Sequence, residues 1–145
     1  WEVDANGDTA VWLSDLVSPN GMVFDAAGAT LYVAQTYEVP NLFRSVVVNE
    51  DHTAGAVTEL VEFDPGSTQD GVAVDADGDV YVVLNLPGEV MRITPSGDAT
   101  VLAAGVDFGA SMAFGRGEFN GCSLYVTSLF TDALFEVGVG VPGPR

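Results

Sequence analysis

Cationic residues are scarce in this sequence. It contains no lysine, four arginines and one histidine against 21 acidic residues, which gives a formal net charge of −17 over 145 residues. Nucleic acids and anionic membrane surfaces are bound through clustered lysines and arginines, whereas the arginines here are far apart in the sequence: Arg44, Arg92, Arg116 and Arg145. The composition therefore predicts no nucleic-acid partner and no membrane partner.

Cysteine and long apolar runs are scarce too. Cys122 is the single cysteine, so it has no partner for an internal disulfide and does not indicate a redox compartment. No apolar run approaches the roughly 18 residues of a membrane-spanning helix. The hydrophobic fraction of 48% is typical of a folded globule. We therefore expect a soluble protein, either cytoplasmic or secreted.

Two explanations of the acidity are open. The surface is adapted to high salt, as in halophilic proteins, or the negative field concentrates cations near a site. Self-repulsion at this charge destabilises the compact state in dilute buffer, and added salt screens it.

The salt-adapted explanation predicts that the Tm of the protein rises between low and molar NaCl. A neutral osmolyte serves as the control, because it stabilises proteins by exclusion from their surface but does not screen charge. The rise in Tm in NaCl should therefore exceed the rise in the osmolyte. A thermal melt with no rise in NaCl would contradict this explanation.

The chain contains an internal repeat. Residues 1–25 align without gaps on residues 91–115, and the segment 20–36 resembles 70–85 and again 110–129. The unit recurs about every 40 to 50 residues, a period typical of repeat architectures such as propellers. The repeat is therefore the main indication of the fold.

Each unit consists of short apolar strands bounded by turn residues, without sustained helical spacing. Four strands per unit at this period predict an all-β fold, a β-propeller of four-stranded antiparallel blades. The chain carries about three blades in a single partial propeller domain, residues 1–145. We expect the end of one blade at 1–18, blades at 19–68 and 69–107, and an incomplete blade at 108–145.

An arc of three blades is not closed, because propellers contain about four to eight blades and open sheet edges invite pairing with another chain. Two partners would close a six-bladed ring. One is a missing N-terminal half of the same protein. The other is a second copy in a homodimer, a self-assembling half-propeller in which the strand at 9–15 supplies the missing outer strand of the partner's last blade.

The repeat alignment places Asn20, Asp70 and Ala110 at one location, directly before the innermost strand of successive blades. These positions converge around the central channel of a propeller. Asn20 and Asp70 offer hard oxygen donors, which suit Ca²⁺ or a similar cation, whereas Ala110 offers none. A turn-forming role, Pro-x-Gly around Asn20 and an acidic turn residue at Asp70, is the alternative.

The stretches PNGMVFDAAGATLYVAQT, from Pro19, and QDGVAVDADGDVYVV, from Gln69, resemble the blade openings of the gluconolactonase and regucalcin (senescence marker protein) family. The resemblance implies a six-bladed propeller with a divalent metal in its channel that hydrolyses sugar lactones or related esters. It also implies that Asn20 and Asp70 are metal ligands, with Ca²⁺ the expected ion and Zn²⁺ or Mn²⁺ the alternatives.

The resemblance further implies a mechanism. The metal would polarise the carbonyl of a lactone or ester substrate, and Asp70 would be catalytic, orienting or deprotonating the attacking water. The sequence departs from the family pattern at Gln69, where the family has proline, and it has no counterpart of a further glutamate and asparagine in the family's channel. The competing prediction is a noncatalytic propeller, a binding or scaffold module.

Other polar and aromatic motifs predict structural roles. Asp4–Asp8 and Asp75–Asp79 lack the spacing of a calcium loop and are predicted to be hairpin turns. The single histidine, His52, lies in a polar loop without a nucleophile motif and is predicted to be a surface residue. The first complete blade is longer than the second, and insertions of this kind often shape the mouth of a pocket, so Tyr37 and Phe43 are predicted to face the substrate. The polar residues at the strand ends are predicted to be either structural or part of a channel rim: Gln35, Asn85 and Ser128.

Overall fold

Short antiparallel strands build the protein. The computed structural model describes residues 1–144, and these residues include no helix and hence no helical segment that could cross a membrane. In chain order the strands are β1 (Glu2–Val3), β2 (Thr9–Ala10), β3 (Pro19–Phe24), β4 (Thr30–Gln35), β5 (Asn41–Val48), β6 (Ala54–Phe63), β7 (Gln69–Val74), β8 (Val80–Leu84), β9 (Glu89–Ile93), β10 (Ala99–Ala104), β11 (Gly109–Phe114), β12 (Ser123–Ser128) and β13 (Leu134–Gly138).

The strands form three consecutive sheets, each with its strands in chain order. The first sheet is β3-β4-β5-β6 and the second is β7-β8-β9-β10, while within residues 1–144 the third has the three strands β11-β12-β13. Strands β1 and β2 pair only with each other. The predicted all-β fold of four-stranded antiparallel sheets is thus confirmed. The blade boundaries at 18, 68 and 107 stay predictions, and the predicted domain end at Arg145 lies outside the described residues.

Alternation of side chains along the strands explains how the sheets stack. Successive residues of a strand point to opposite faces, so in β4 Tyr32 and Ala34 pack toward the second sheet while Leu31 and Val33 point the other way. The central strand β8 reads VYVVL and is buried throughout. It is apolar at every position because the first sheet covers one of its faces and the third sheet covers the other.

The aspartate-rich motifs are hairpin turns, as predicted. The Asp75 side chain is fully buried, and its Oδ1 accepts hydrogen bonds from the backbone N–H groups of Asp77 (2.9 Å) and Asp79 (3.0 Å). Its Oδ2 accepts from the Tyr81 hydroxyl at 2.7 Å. Burial is the main cause, and this hydrogen bond the second, of a raised pKa of Tyr81. The phenol therefore stays protonated and acts as a donor. Asp4 accepts the corresponding bonds from Asn6 and Asp8 in the first turn.

Candidate metal centre

The innermost strand of each sheet begins with the same β-bulge. In the first sheet Pro19 pairs with Gln35 and Met22 with Val33, so two residues of β3 lie opposite one residue of β4. The register shifts at the equivalent place between Gln69 and Val72 and between Gly109 and Met112. A bulge re-aims the side chain it carries and is frequent beside active sites. The bulged pairs are Asn20–Gly21, Asp70–Gly71 and Ala110–Ser111.

Glycines in the first two bulges allow neighbouring inner strands to approach closely. A Cβ on Gly21 would lie 2.8 Å from the carbonyl carbon of Asp70 and still closer to its oxygen. A Cβ on Gly71 would lie 2.9 Å from the backbone of Ser111. Real Cβ atoms do not reach such distances, so the close contact requires glycine. The strands that carry Asn20 and Asp70 are therefore held side by side.

Thr36 fixes the orientation of Asn20. Its hydroxyl donates to the backbone oxygen of Gln69 at 2.8 Å and accepts from Asn20 Nδ2 at 3.0 Å. With the amide nitrogen engaged, Asn20 presents Oδ1, which has no hydrogen-bond donor within residues 1–144. The bridge runs from the first sheet to the residue just before Asp70, so it also ties the two inner strands together.

Asn85 repeats this bridge one sheet further on. Its Nδ2 donates to the backbone oxygen of Gly109, the first residue of the next inner strand, and to Asp70 Oδ2 at 3.3 Å. Asn85 is buried and Asp70 is partly buried. The second carboxylate oxygen, Asp70 Oδ1, accepts no hydrogen bond from the described part of the chain. Asn20 and Asp70 thus each keep one oxygen free.

Within residues 1–144 the third sheet has no equivalent of this side-chain bridge. The backbone N–H groups of Thr36, Asn85 and Leu129 make equivalent bonds to the segment that precedes each inner strand, which makes Leu129 the counterpart of the two bridging residues. Leu129 has no polar side chain and Ala110 has no donor oxygen there. The polar arrangement is therefore confined to the first two sheets.

Asn20 and Asp70 offer the type of oxygen donor that a hard cation prefers, but they offer too few donors to complete its coordination shell. Amide and carboxylate oxygens are the ligands that Ca²⁺ prefers, and the ion takes about six to eight of them. Within residues 1–144 no group of three or more His, Cys, Asp or Glu side chains is placed to hold a metal. Asn20 and Asp70 would therefore supply part of a coordination shell.

The remaining candidates differ from the sequence predictions in part. His52 is exposed, as predicted, and its backbone oxygen accepts a 2.6 Å hydrogen bond from Trp12. Tyr37 is exposed. The prediction of a substrate-facing Phe43 is wrong, because β5 pairs it with Ala34 in the core, where its ring stacks on Tyr32.

Among the strand-end polar residues, Asn85 is the one that contacts a predicted ligand, Asp70. Its position at a strand end in the sequence resembles those of Gln35 and Ser128, whereas the backbone hydrogen bonds make Thr36 and Leu129 its structural counterparts. Gln35 instead accepts from Arg44 and donates to the Val17 backbone oxygen. The sequence pattern therefore did not predict the bridging role of Thr36, although Thr36 directly follows Gln35.

We expect Asn85→Ala to weaken binding of Ca²⁺ about tenfold or more, the range found when an outer-shell partner of a metal ligand is removed. The buried Gly109 carbonyl would lose its donor as well, which costs about 1–3 kcal/mol of stability. Calorimetric titration and thermal melts measure the two effects. Asn120→Ala is the control, because Asn120 also makes two side-chain hydrogen bonds but lies away from Asp70. Equal Ca²⁺ affinity in both variants would contradict the positioning role.

The sequence model of one protein family matches most of the chain. Residues 1–130 match the SMP-30/gluconolactonase/LRE-like region. The chain belongs to this family. The resemblance noted in PNGMVFD and QDGVAVD is thereby confirmed. A comparison with curated protein sequences gives no match.

Solved structures similar to this SMP-30/gluconolactonase/LRE-like chain include a luciferin-regenerating enzyme, a regucalcin and a gluconolactonase. A luciferin-regenerating enzyme superposes with a TM-score of 0.77 at 19% identity, over 97% of this chain and 52% of its own. Regucalcin from Agrobacterium tumefaciens, described as a calcium-binding protein, gives 0.76 at 21%, over 96% and 52%. A gluconolactonase from Xanthomonas campestris gives 0.75 at 19%, over 96% and 43%.

These identities show the fold alone. The matched proteins are β-propellers, so the three stacked sheets are blades and the chain is a partial propeller. It spans about half the length of each of these proteins.

Proposed function

We propose that this chain forms half of a divalent-metal-dependent hydrolase of sugar-type lactones or related esters. The observation that carries the proposal is the placement of Asn20 and Asp70 on adjacent inner strands, each held by a repeated polar bridge and each keeping one oxygen free. Family membership supports it. So do two structural neighbours, one described as a gluconolactonase and one as calcium-binding.

Asn20 Oδ1 and Asp70 Oδ1 would hold the cation, with Ca²⁺ favoured because both donors are hard oxygens. A bound divalent ion supplies Lewis-acid polarisation of the substrate carbonyl. Asp70 is the one carboxylate of the pair, so it also orients the attacking water or accepts its proton. Asn85 keeps the carboxylate in place through Oδ2, leaving Oδ1 directed to these tasks.

The net charge of −17 fits this chemistry in two ways. A negative field raises the local concentration of cations, which favours loading of a shell that has few ligands from this chain. Lactones are neutral, whereas their hydrolysis product is a carboxylate. The same field therefore leaves substrate unaffected and disfavours retention of product.

Hydrolysis assays test the proposal. The protein would be assayed with a set of γ- and δ-sugar lactones and an aryl ester, after chelation and again with Ca²⁺, Mn²⁺ or Zn²⁺. We expect turnover that depends on added metal and is lost in the double variant Asn20→Ala/Asp70→Ala. Metal binding without turnover of any substrate would favour the noncatalytic binding module, and turnover that survives both chelation and the double variant would contradict the site.

A further inference from the structure

The third blade presents apolar residues at the positions where the first two blades present polar ones. Ala110 stands where the first two blades carry the candidate ligands, and Leu129 stands where they carry the bridging residues. The Leu129 side chain is exposed. The polar donors are therefore followed, one blade further on, by an apolar surface.

Three loops extend this apolar surface. All three lie at the end of the blades at which the inner strands β3, β7 and β11 begin, which is the end that carries the two candidate ligands. Leu86 lies between β8 and β9, Phe108 directly before β11, and Phe130 between β12 and β13. Each side chain is exposed, that of Leu86 to 64% and that of Phe130 to 75%. We call these residues the apolar sector: Leu86, Phe108, Leu129 and Phe130.

The loops of the apolar sector are tied to one another. A backbone hydrogen bond of 2.9 Å, from Val106 to Gly88, joins the loop before β11 to the loop after β8. The Leu129 N–H donates to the backbone oxygen of Phe108, also at 2.9 Å. The rings of Phe108 and Phe130 pack edge to face, with 5.3 Å between their centroids. The apolar sector is therefore one surface that spans the second and third blades.

The backbone at Phe108 is strained. Its φ is +52°, a left-handed conformation that is an outlier for a bulky residue. Such outliers persist only where the surrounding structure holds them, and they cluster at active sites and ligand clamps. Here the Ser128 hydroxyl donates to the backbone oxygen of Asp107 at 2.9 Å, beside the bond from Leu129. The strain at an exposed aromatic residue indicates a functional constraint on Phe108.

Leu86 connects the apolar sector to the candidate metal centre. It belongs to the second blade, which packs against a neighbouring blade on each of its faces. Its Cα lies about 3.8 Å from that of Asn85, whose side chain donates to Asp70 Oδ2. The apolar sector thus begins directly beside Asp70, on the blade that has both of its neighbours in this chain.

We infer that the apolar sector binds an apolar substituent of the substrate, so that the preferred substrate is a neutral lactone or ester with an alkyl or aryl group. The inference rests on the proposed function and narrows its substrate class. A substrate with its carbonyl at Asn20 and Asp70 would extend this group over Leu86 toward Phe108 and Phe130, where burial of apolar surface is favourable.

Two other classes of ligand fit the apolar sector less well. A sugar lactone would place hydroxyl groups against side chains that offer no hydrogen-bond partner, which costs free energy. A fatty acid or another anionic amphiphile would meet Asp107 and Asp132, which lie in the same loops, and like charges repel. The occupant is therefore both apolar and neutral.

Binding of a series of lactones to the metal-free protein tests the inference without turnover. The series is γ-butyrolactone, γ-hexalactone, γ-octalactone and γ-decalactone, with glucono-δ-lactone as the polar comparison, and ligand-detected NMR gives the Kd values. We expect Kd to fall about two- to fourfold for each added methylene, the upper value corresponding to full burial. Equal Kd across the series, or tighter binding of glucono-δ-lactone than of γ-octalactone, would overturn the inference.

Two variants and a matched control locate the binding surface. Leu86→Ser and Phe130→Ser should each reduce the dependence of Kd on chain length. Phe119→Ser is the control, because Phe119 is 64% exposed and packs edge to face on Tyr125 at the same 5.3 Å, but lies between β11 and β12 at the opposite end of the third blade. Circular dichroism confirms that each variant folds. Equal dependence in all three variants would overturn the inference.

Turnover separates this inference from the proposed function. With Ca²⁺ added, kcat/KM should rise along the series, and Leu86→Ser should raise KM for γ-decalactone more than for γ-butyrolactone. Binding that depends on chain length, without turnover of any lactone, would contradict the proposed function and support the apolar sector. Metal-dependent turnover with equal kcat/KM for alkyl and sugar lactones would support the proposed function and overturn the role of the apolar sector.

Discussion

Replacing Asp70 by Asn is expected to lower Ca²⁺ affinity by more than tenfold and lactone turnover by roughly 100-fold or more. Loss of an outer-shell partner already costs about 10- to 100-fold in metal affinity, and Asp70 is the proposed ligand itself. Loss of a general base costs about 100- to 10,000-fold in rate. Asn keeps the size and can still bond Asn85, so the folded structure should be retained. Calorimetric titration and initial rates with saturating metal separate the two effects.

Asp77→Asn is the matched control for this experiment. It removes the same charge from an exposed residue in the hairpin turn that follows β7. The net charge of the protein therefore changes by the same amount in both variants. Its Ca²⁺ affinity and turnover should equal those of the unaltered protein. Equal effects of the two substitutions would show that net charge, and not a ligand at Asp70, governs metal binding.

Replacing Gly21 by Ala is expected to destabilise the protein by about 3 kcal/mol. The added Cβ would lie 2.8 Å from the carbonyl carbon of Asp70, and overpacking of this kind costs about 1–3 kcal/mol, or more where backbone must move. The obstacle here is the backbone of the adjacent inner strand and not a flexible side chain. The relief of the clash would push Asn20 and Asp70 apart, so Ca²⁺ affinity should fall as well.

Gly138→Ala provides the comparison. Gly138 also lies in a strand, and a Cβ there meets no atom within 4 Å, so we expect a change in unfolding free energy of a few tenths of a kcal/mol. Chemical denaturation of both variants gives the two values. If Gly21→Ala proves as stable as Gly138→Ala, the inner strands are not in the close contact on which the site depends.

The fold was predictable because its pattern is local and repeated. Alternating apolar residues bounded by turn residues mark each strand, and the repeat shows which strands correspond. The wholly apolar run of β8 does not by itself distinguish a buried strand from a buried helix segment. Its repeats in β4 and β12 identify it as a strand. The error at Phe43 arose because the longer first blade suggested a pocket-forming insertion, whereas the pairing with Ala34 places the ring in the core.

The candidate site was predictable only in part. Repeat alignment identifies Asn20 and Asp70 because equivalent positions share a location whatever residue occupies them. The bridging role of Thr36 and Asn85 depends on hydrogen bonds that reach from one blade to the next. Such bonds depend on a bulge that shifts the register by one residue, and sequence patterns do not report a shift of that kind. The positions of the two candidate ligands therefore follow from the sequence, whereas the residues that hold them are identified only by the structure.

A crystal of the protein soaked in Mn²⁺ and measured at the manganese absorption edge would show whether Asn20 and Asp70 share a cation. We expect an anomalous peak within bonding distance of Asn20 Oδ1 and Asp70 Oδ1, at the beginning of β3 and β7. A peak found only at the hairpin aspartates, Asp75–Asp79, or no peak beside Asn20 and Asp70 at saturating Mn²⁺, would contradict it.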